Sequence, residues 1–304
     1  MLTNRYDDPM KDTLCVALIQ HPCPGERKQN LSLSIKGIRQ AASMGAELIL
    51  LPELHTLPYF CQTENPEHFD LAEEIPGPTS RLLADLASEL EVVIVASLFE
   101  KRAPGLYHNC AVVLDCDGSL AGKYRKMHIP DDPGYYEKFY FTPGDLGFKP
   151  IQTRVGKLGV LVCWDQWYPE AARLMTLAGA ELLLYPTAIG WDPRDDEEEK
   201  KRQLDAWQII QRAHAIANGL PVISCNRIGL EANPSHQSAG IQFWGNSFIT
   251  GPQGELLARA DSEEEEILIA RLERKKTENI RRIWPYLRDR RIDAYEDLTR
   301  RYLN

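Results

Sequence analysis

The chain is expected to fold as an α/β protein, a four-layer α-β-β-α sandwich built from two related halves. Three observations carry that expectation. Short apolar, β-branched runs alternate with segments of helical periodicity along the 304 residues. The order of these elements in the first half recurs in the second. One stretch, Gly45-Ala46-Glu47-Leu48-Ile49-Leu50-Leu51-Pro52, reads again as Gly179-Ala180-Glu181-Leu182-Leu183-Leu184-Tyr185-Pro186.

The first half reads as a strand over Leu14–Ile19, a helix over Leu31–Met44, a strand over Glu47–Leu51, a helix over Ser80–Leu90 and a strand over Val92–Leu98. The second half reads as a strand over Leu158–Cys163, a helix over Glu170–Ala178, a strand over Glu181–Tyr185, a helix over Leu204–Ala217 and a strand over Val222–Cys225. Each copy of the repeated octet has a local cause. Glycine ends a helix, a short buried strand follows, and a proline, with no N–H to give a ladder, stops it. Two sheets each covered by helices on one face bury their remaining apolar faces against each other. The residues just past the equivalent strands, Glu53 and Thr187, then line a shared cleft. Its expected walls are the loops Ile129–Asp145 and Trp191–Arg202. The expected domain spans residues 10–272 and ends with a strand over Glu266–Leu272. Residues 273–304, rich in Arg and aromatics, are expected to form a C-terminal arm suited to a subunit contact.

Composition excludes several classes of function. A formal charge of -9 does not suit a nucleic-acid binder and favours cationic small molecules. No run approaches the ~18 apolar residues of a membrane span. Met1–Asp12 is polar and acidic, unlike a signal segment, so a cytoplasmic protein without a membrane partner is expected. The seven cysteines, at 15, 23, 61, 110, 116, 163 and 225, are scattered and contain no CxxC pair, which indicates neither a disulfide framework nor a zinc site. Phosphate loops and a Gly-x-Ser-x-Gly elbow are missing, and the histidines lack paired metal spacing. His128 and His214 are read as structural or cleft-lining, and the acid runs Asp195–Glu199 and Asp261–Glu266 as solvated faces.

Chemistry concentrates at three places. Cys163 ends the apolar run Leu158-Gly159-Val160-Leu161-Val162 and precedes a turn into a helix. There a thiol is exposed at the sheet edge, where backbone N–H groups and a helix N-terminus favour thiolate and bind an oxyanion. Glu53, directly after Leu50-Leu51-Pro52, brings a carboxylate to the matching edge of the first half. Lys126 lies in the basic run Gly122-Lys123-Tyr124-Arg125-Lys126-Met127-His128. An amide or ureido carbon is a poor electrophile, so its hydrolysis needs a strong nucleophile, positive charge at the developing oxyanion and a proton for the leaving nitrogen.

Leu51-Pro52-Glu53, Tyr124-Arg125-Lys126 and Val162-Cys163-Trp164-Asp165 resemble, in order and rough spacing, the Glu-Lys-Cys signatures of the nitrilase superfamily, and the resemblance runs from about Leu14 to Arg271. It implies Glu53 as base, Lys126 as cationic stabiliser, Cys163 as nucleophile, and Glu137 as a second glutamate beside them. It also implies a homo-oligomer. No metal or organic cofactor is needed. The segments Cys163–Glu170, Asp131–Phe141 and Leu287–Arg291 resemble the branch acting on N-carbamoylputrescine, which implies release of putrescine, ammonia and carbon dioxide in polyamine synthesis. Such a substrate ends in an ammonium, for which carboxylate and aromatic lining is expected. The substrate-binding residues expected are Tyr59, Tyr135, Trp164, Trp191 and Asp192, with Glu137 as a second carboxylate. An N-carbamoyl amino acid would instead need an Arg for its carboxylate, and Arg194 lies in the same loop as Asp192. A non-catalytic scaffold would have lost one of the three signature residues, and all three are present.

Overall fold

The computed structural model describes residues 11–235 and 238–303. Met1–Met10, which hold most of the N-terminal segment discussed above and the first residue of the expected domain, lie outside the described residues.

In chain order the first half contains β1 (Thr13–Gln20), α1 (Arg27–Ser43), β2 (Leu48–Leu50), α2 (Pro78–Leu90), β3 (Val93–Ala103), β4 (Leu106–Leu114) and β5 (Leu120–Arg125). A short helix, α3 (Glu137–Tyr140), and β6 (Ile151–Thr153) lead to β7 (Gly156–Val160), α4 (Pro169–Leu177), β8 (Leu182–Pro186) and β9 (Gly190–Trp191). Then come α5 (Glu197–Asn218), β10 (Val222–Cys225), β11 (Ile228–Glu231), β12 (Ile241–Trp244), β13 (Phe248–Thr250), β14 (Leu256–Arg259), β15 (Glu266–Glu273) and α6 (Arg274–Ile283).

One sheet has the order β15-β1-β2-β3-β4-β5 and the other β14-β13-β10-β8-β7-β6. Parallel β1, β2 and β3 continue into antiparallel β4 and β5. Parallel β7, β8 and β10 continue into antiparallel β13 and β14. The same path is traced twice. The repeated octet sits at the second strand of each tracing, where Gly45 at φ +91° and Gly179 at φ +94° take the left-handed conformation that ends the preceding helix.

Side-chain alternation along β1 sorts the layers. Val16 and Leu18 enter a core shared with Leu158, Leu182 and Leu184 of the other sheet, while Ala17 and Ile19 pack with Ile38 and Ala41 of α1 and Leu83 and Leu86 of α2. Ala171 and Met175 of α4 and Ala215 of α5 cover the second sheet. The α-β-β-α sandwich is thus present, with a small third sheet, β11-β12-β9, beside it.

Two local expectations change. The strand expected to reach Cys163 stops at Val160, and Cys163 opens a 3-10 turn running to Trp167. The helix expected from Leu204 starts at Glu197, so residues 197–202 are helix rather than loop. Asp196 caps it by accepting the Glu199 N–H at 2.8 Å, and Glu197, Glu198 and Glu199 occupy the first turn, where the helix dipole favours acids. An acid run read as a solvated face is also a helix start. The arm divides as well. Its helix α6 lies on its own body, with Arg274 paired to Glu181 at 2.6 Å and Arg281 donating to the Gly219 carbonyl at 2.9 Å. Beyond it Trp284, Ile292, Leu298 and Tyr302 are exposed. Among the described residues no helix is long and apolar enough to cross a membrane.

Candidate active site

The duplicated path brings the ends of β2 and β8 together: the Glu53 N–H donates to the Thr187 carbonyl at 3.2 Å. Both residues are fully buried, and neither lines the cavity beside Cys163, contrary to expectation. Lys126 directly follows β5, and its N–H donates to the Asn109 carbonyl of neighbouring β4 at 2.9 Å. Glu137 opens α3. Cys163 sits at φ +42°, a backbone region that non-glycine residues rarely adopt, at the turn between β7 and α4.

The four expected chemical residues meet. Lys126 Nζ lies 2.8 Å from Glu53 Oε1 and 2.7 Å from Glu137 Oε2, with all three side chains essentially without solvent access. Burial alone would depress the Lys126 pKa, but the Glu137 and Glu53 carboxylates outweigh it and hold the ammonium well above its ordinary value. Burial also drives the Glu137 carboxyl up to about 7, against the pull of Lys126 and with a push from Glu53. Tyr59 donates its hydroxyl to Glu137 Oε1 at 2.6 Å, and Asn109 Nδ2 donates to Glu53 Oε1 at 2.7 Å. Glu53 Oε2 is left buried with no partner among the described residues. That oxygen is open to a further hydrogen bond.

Burial, followed by the charge of Glu53, raises the Cys163 pKa well above its ordinary value, and the opposing pull of Lys126 does not reverse the shift. Burial thus works against the thiolate that the turn's N–H groups favour.

Cys163 and Glu137 share a cavity of about 380 Å³ with Tyr135, Trp164, Trp167, Ala188, Ile189, Gly190, Gln203, Ala206 and Trp244, closed on one side by Pro130, Asp132 and Pro133. Of the expected substrate-binding residues, Tyr135 and Trp164 line it. Tyr59 stands behind, its ring packed on Tyr135 and Phe243 while its hydroxyl holds Glu137. Trp191 also stands behind, its ring tilted against Trp244 and its indole N–H donating to the Lys200 carbonyl. Asp192 is not among the lining residues, and its carboxylate is taken by Arg194 two residues on, in a largely exposed pair. The Ile129–Asp145 loop forms a wall as expected. No residue of the other expected wall, Trp191–Arg202, is among the lining residues; Gly190 and Gln203, which flank it, are.

Sequence reasoning missed Asn109, whose one visible signal was a polar residue inside the apolar run of β4. Asp165, in the same signature as Cys163, ties the Lys126 and Cys163 segments together. Its carboxylate accepts from the Val162 N–H at 2.9 Å and Tyr124 hydroxyl at 2.8 Å, and from the His128 N–H at 3.1 Å. His128 is stacked on Tyr168 with ring centroids 3.7 Å apart, and His214 bonds the Gln166 carbonyl at 2.8 Å. Both histidines are structural.

The sequence pattern of the carbon-nitrogen hydrolase family matches residues 15–282. An N-carbamoylputrescine amidase of Solanum lycopersicum is 46% identical over 285 residues, covering 93% of this chain and 94% of that protein. A citrullinase of Francisella tularensis is 43% identical over 288 residues, covering 94% of this chain and 98% of that protein. The crystal structure of a carbon-nitrogen hydrolase from Helicobacter pylori G27 superposes with a TM-score of 0.93 at 56% identity, covering 96% of this chain and all of that one. With the duplicated sandwich and the buried cluster in place, the chain belongs to the carbon-nitrogen hydrolase family, within the nitrilase superfamily, and is a hydrolase of carbon–nitrogen bonds.

Proposed function

We propose that the chain hydrolyses N-carbamoylputrescine to putrescine, ammonia and carbon dioxide, with Cys163 as nucleophile, Glu53 as base and Lys126 as cationic stabiliser. Glu53 Oε2 takes the thiol proton as Sγ attacks the ureido carbon. Lys126 and the Trp164 N–H stabilise the oxyanion. One carbon–nitrogen bond then breaks as the proton passes to the departing nitrogen, leaving a carbamoyl-thioester on Cys163. Water, deprotonated by Glu53, cleaves that thioester and regenerates the thiol, and the carbamic acid released breaks down to the second amine and carbon dioxide. Glu137 keeps Lys126 oriented.

The observation that carries the substrate class is the lining. It has two carboxylates, Asp132 and Glu137, several aromatic rings and, among the described residues, no Lys, Arg or His. A substrate with a cationic end finds partners there. The carboxylate of an N-carbamoyl amino acid, or of citrulline, finds no cation, and Arg194 is exposed and occupied by Asp192. Wild type should therefore turn over N-carbamoylputrescine well ahead of N-carbamoyl-β-alanine, and the reverse preference in an ammonia-release assay would overturn the substrate while leaving the chemistry intact.

The distal ammonium is held at the outer end of the cavity. Glu137 is committed to Lys126 and Tyr59, Asp132 faces the cavity, and Asp192 follows Gly190–Trp191 at its edge, where it would exchange Arg194 for substrate. A charged contact of this kind contributes about 1.5–3 kcal/mol. Asp192→Asn, with Asp132→Asn beside it, should include a variant whose KM for N-carbamoylputrescine rises about 10- to 100-fold, with little change for an uncharged N-carbamoyl alkylamine. If neither variant raises KM more than about threefold, no carboxylate here reads the ammonium.

The exposed apolar stretch after α6 is the subunit contact of a homo-oligomer in this reading. Ending the chain after Ile283 should lower the mass seen by light scattering, and an unchanged assembly would place the contact elsewhere. A cytoplasmic setting, where thiols stay reduced, belongs to the same proposal.

A further inference from the structure

Arg227 is a fully buried guanidinium that the proposed chemistry does not use. It lies two residues past β10, the third strand of the second half, and reaches into the first half. One terminal nitrogen donates to the Glu53 carbonyl at 2.6 Å and the Leu54 carbonyl at 3.1 Å. The other donates to the Leu57 carbonyl at 3.1 Å and Glu231 Oε1 at 2.8 Å. Glu231 Oε2 in turn accepts the Tyr59 N–H. The guanidinium lies 5.9 Å from the centroid of the Tyr59 ring and 5.2 Å from that of Phe243.

The segment so gripped is irregular backbone, buried apart from Pro58. Leu54 sits at φ +47° directly after Glu53, a strained conformation that persists only when its surroundings fix it. Buried carbonyls need donors, and one planar fork supplies them at residues 53, 54 and 57 while its partner carboxylate fixes residue 59. Both ends of this segment touch the reacting cluster: Glu53 directly, and Tyr59 through the hydroxyl it gives to Glu137.

We propose that Arg227 and Glu231 form a positioning clamp that sets Glu53 and, through Tyr59, Glu137 against Lys126. The clamp rests on the reading of Glu53 as base. Lysine cannot replace arginine, because a single ammonium nitrogen cannot address acceptors that two nitrogens of a rigid fork now divide between them.

The test compares wild type, Arg227→Lys, Glu231→Gln, Glu53→Gln and the double variant Glu53→Gln/Glu231→Gln. Ammonia release from N-carbamoylputrescine and the rate of Cys163 alkylation by iodoacetamide are both corrected for the folded fraction from circular dichroism. Arg227→Lys should lower kcat by about 100-fold and Glu231→Gln by about 10-fold, each with KM within threefold of wild type, the pattern of lost transition-state positioning. Because the clamp acts through the base, Glu231→Gln should slow alkylation on its own but change it less than threefold further in the Glu53→Gln background. Equal alkylation of Glu53→Gln and wild type would remove the base reading and the clamp with it. Slow alkylation of Glu53→Gln, with folded Arg227→Lys and Glu231→Gln at wild-type rates or with additive effects in the double variant, would overturn the clamp alone.

Discussion

Cys163→Ala is expected to abolish turnover of N-carbamoylputrescine while leaving the fold and substrate binding in place. Its sulfur faces the cavity with Glu137 and Tyr135 and feels the charges of Glu53 and Lys126, so its removal takes away the atom that makes the new bond. The structural consequences are small. Cys163 is buried at the end of the run after β7, its sulfur makes one long contact with the Ala188 carbonyl at 3.7 Å, and alanine at φ +42° is no more strained than cysteine. Circular dichroism should be unchanged and ammonia release should vanish. Activity within tenfold of wild type would exclude the nucleophile assignment. Cys15→Ala is the control: that thiol is buried in β1, away from the cluster, so its loss should touch stability alone, by roughly 1–2 kcal/mol.

Much of this arrangement was legible in the sequence because it is built from repeats of local physics. The Gly-Ala-Glu octet marks the second strand of each half, and both copies use a left-handed glycine to leave a helix. Since the halves pair face to face, two residues at the same local position, Glu53 and Thr187, had to come close, and their backbones are hydrogen-bonded. Lys126 and Cys163 follow the same logic, each lying just past a strand end.

What was not legible depends on contacts between distant segments. Asn109 holds Glu53 across 56 residues, and a polar residue inside an apolar strand does not announce its partner. Asp192 carries the right charge at the right loop, yet Arg194, two residues along, offers it a guanidinium within reach of a single turn. The balance of charges around the thiol is hidden for a related reason. The sequence shows the turn that would favour thiolate, but complete burial beside the charges of Glu53 and Glu137 exists only in three dimensions.

A thiol whose pKa burial raises makes the expected consequence of Glu53→Gln large. Glutamine keeps the shape and can still accept from Asn109 or face Lys126 with its amide oxygen, but it cannot take a proton. With the Cys163 pKa raised by burial, lowering the barrier to thiolate formation depends on an acceptor at the site, and Glu53 Oε2 is buried with no partner among the described residues. Removing a positioned general base lowers rates by about 10²- to 10⁴-fold, and both acyl transfer to the thiol and attack by water on the thioester draw on it. The substitution has a second, opposing effect: it removes one of the charges that disfavour thiolate, which lowers the thiol pKa. Proton transfer should dominate, because the neighbouring Glu137 still opposes the thiolate and, among the described residues, no other side-chain oxygen of the Glu53–Lys126–Glu137 cluster is without a partner. The expected result is a fall in kcat of at least ~10²-fold with slower alkylation of Cys163 by iodoacetamide at neutral pH. Alkylation at the wild-type rate in a folded Glu53→Gln protein would show that the charge effect matches or exceeds the loss of the base, and that Glu53 does not activate the thiol.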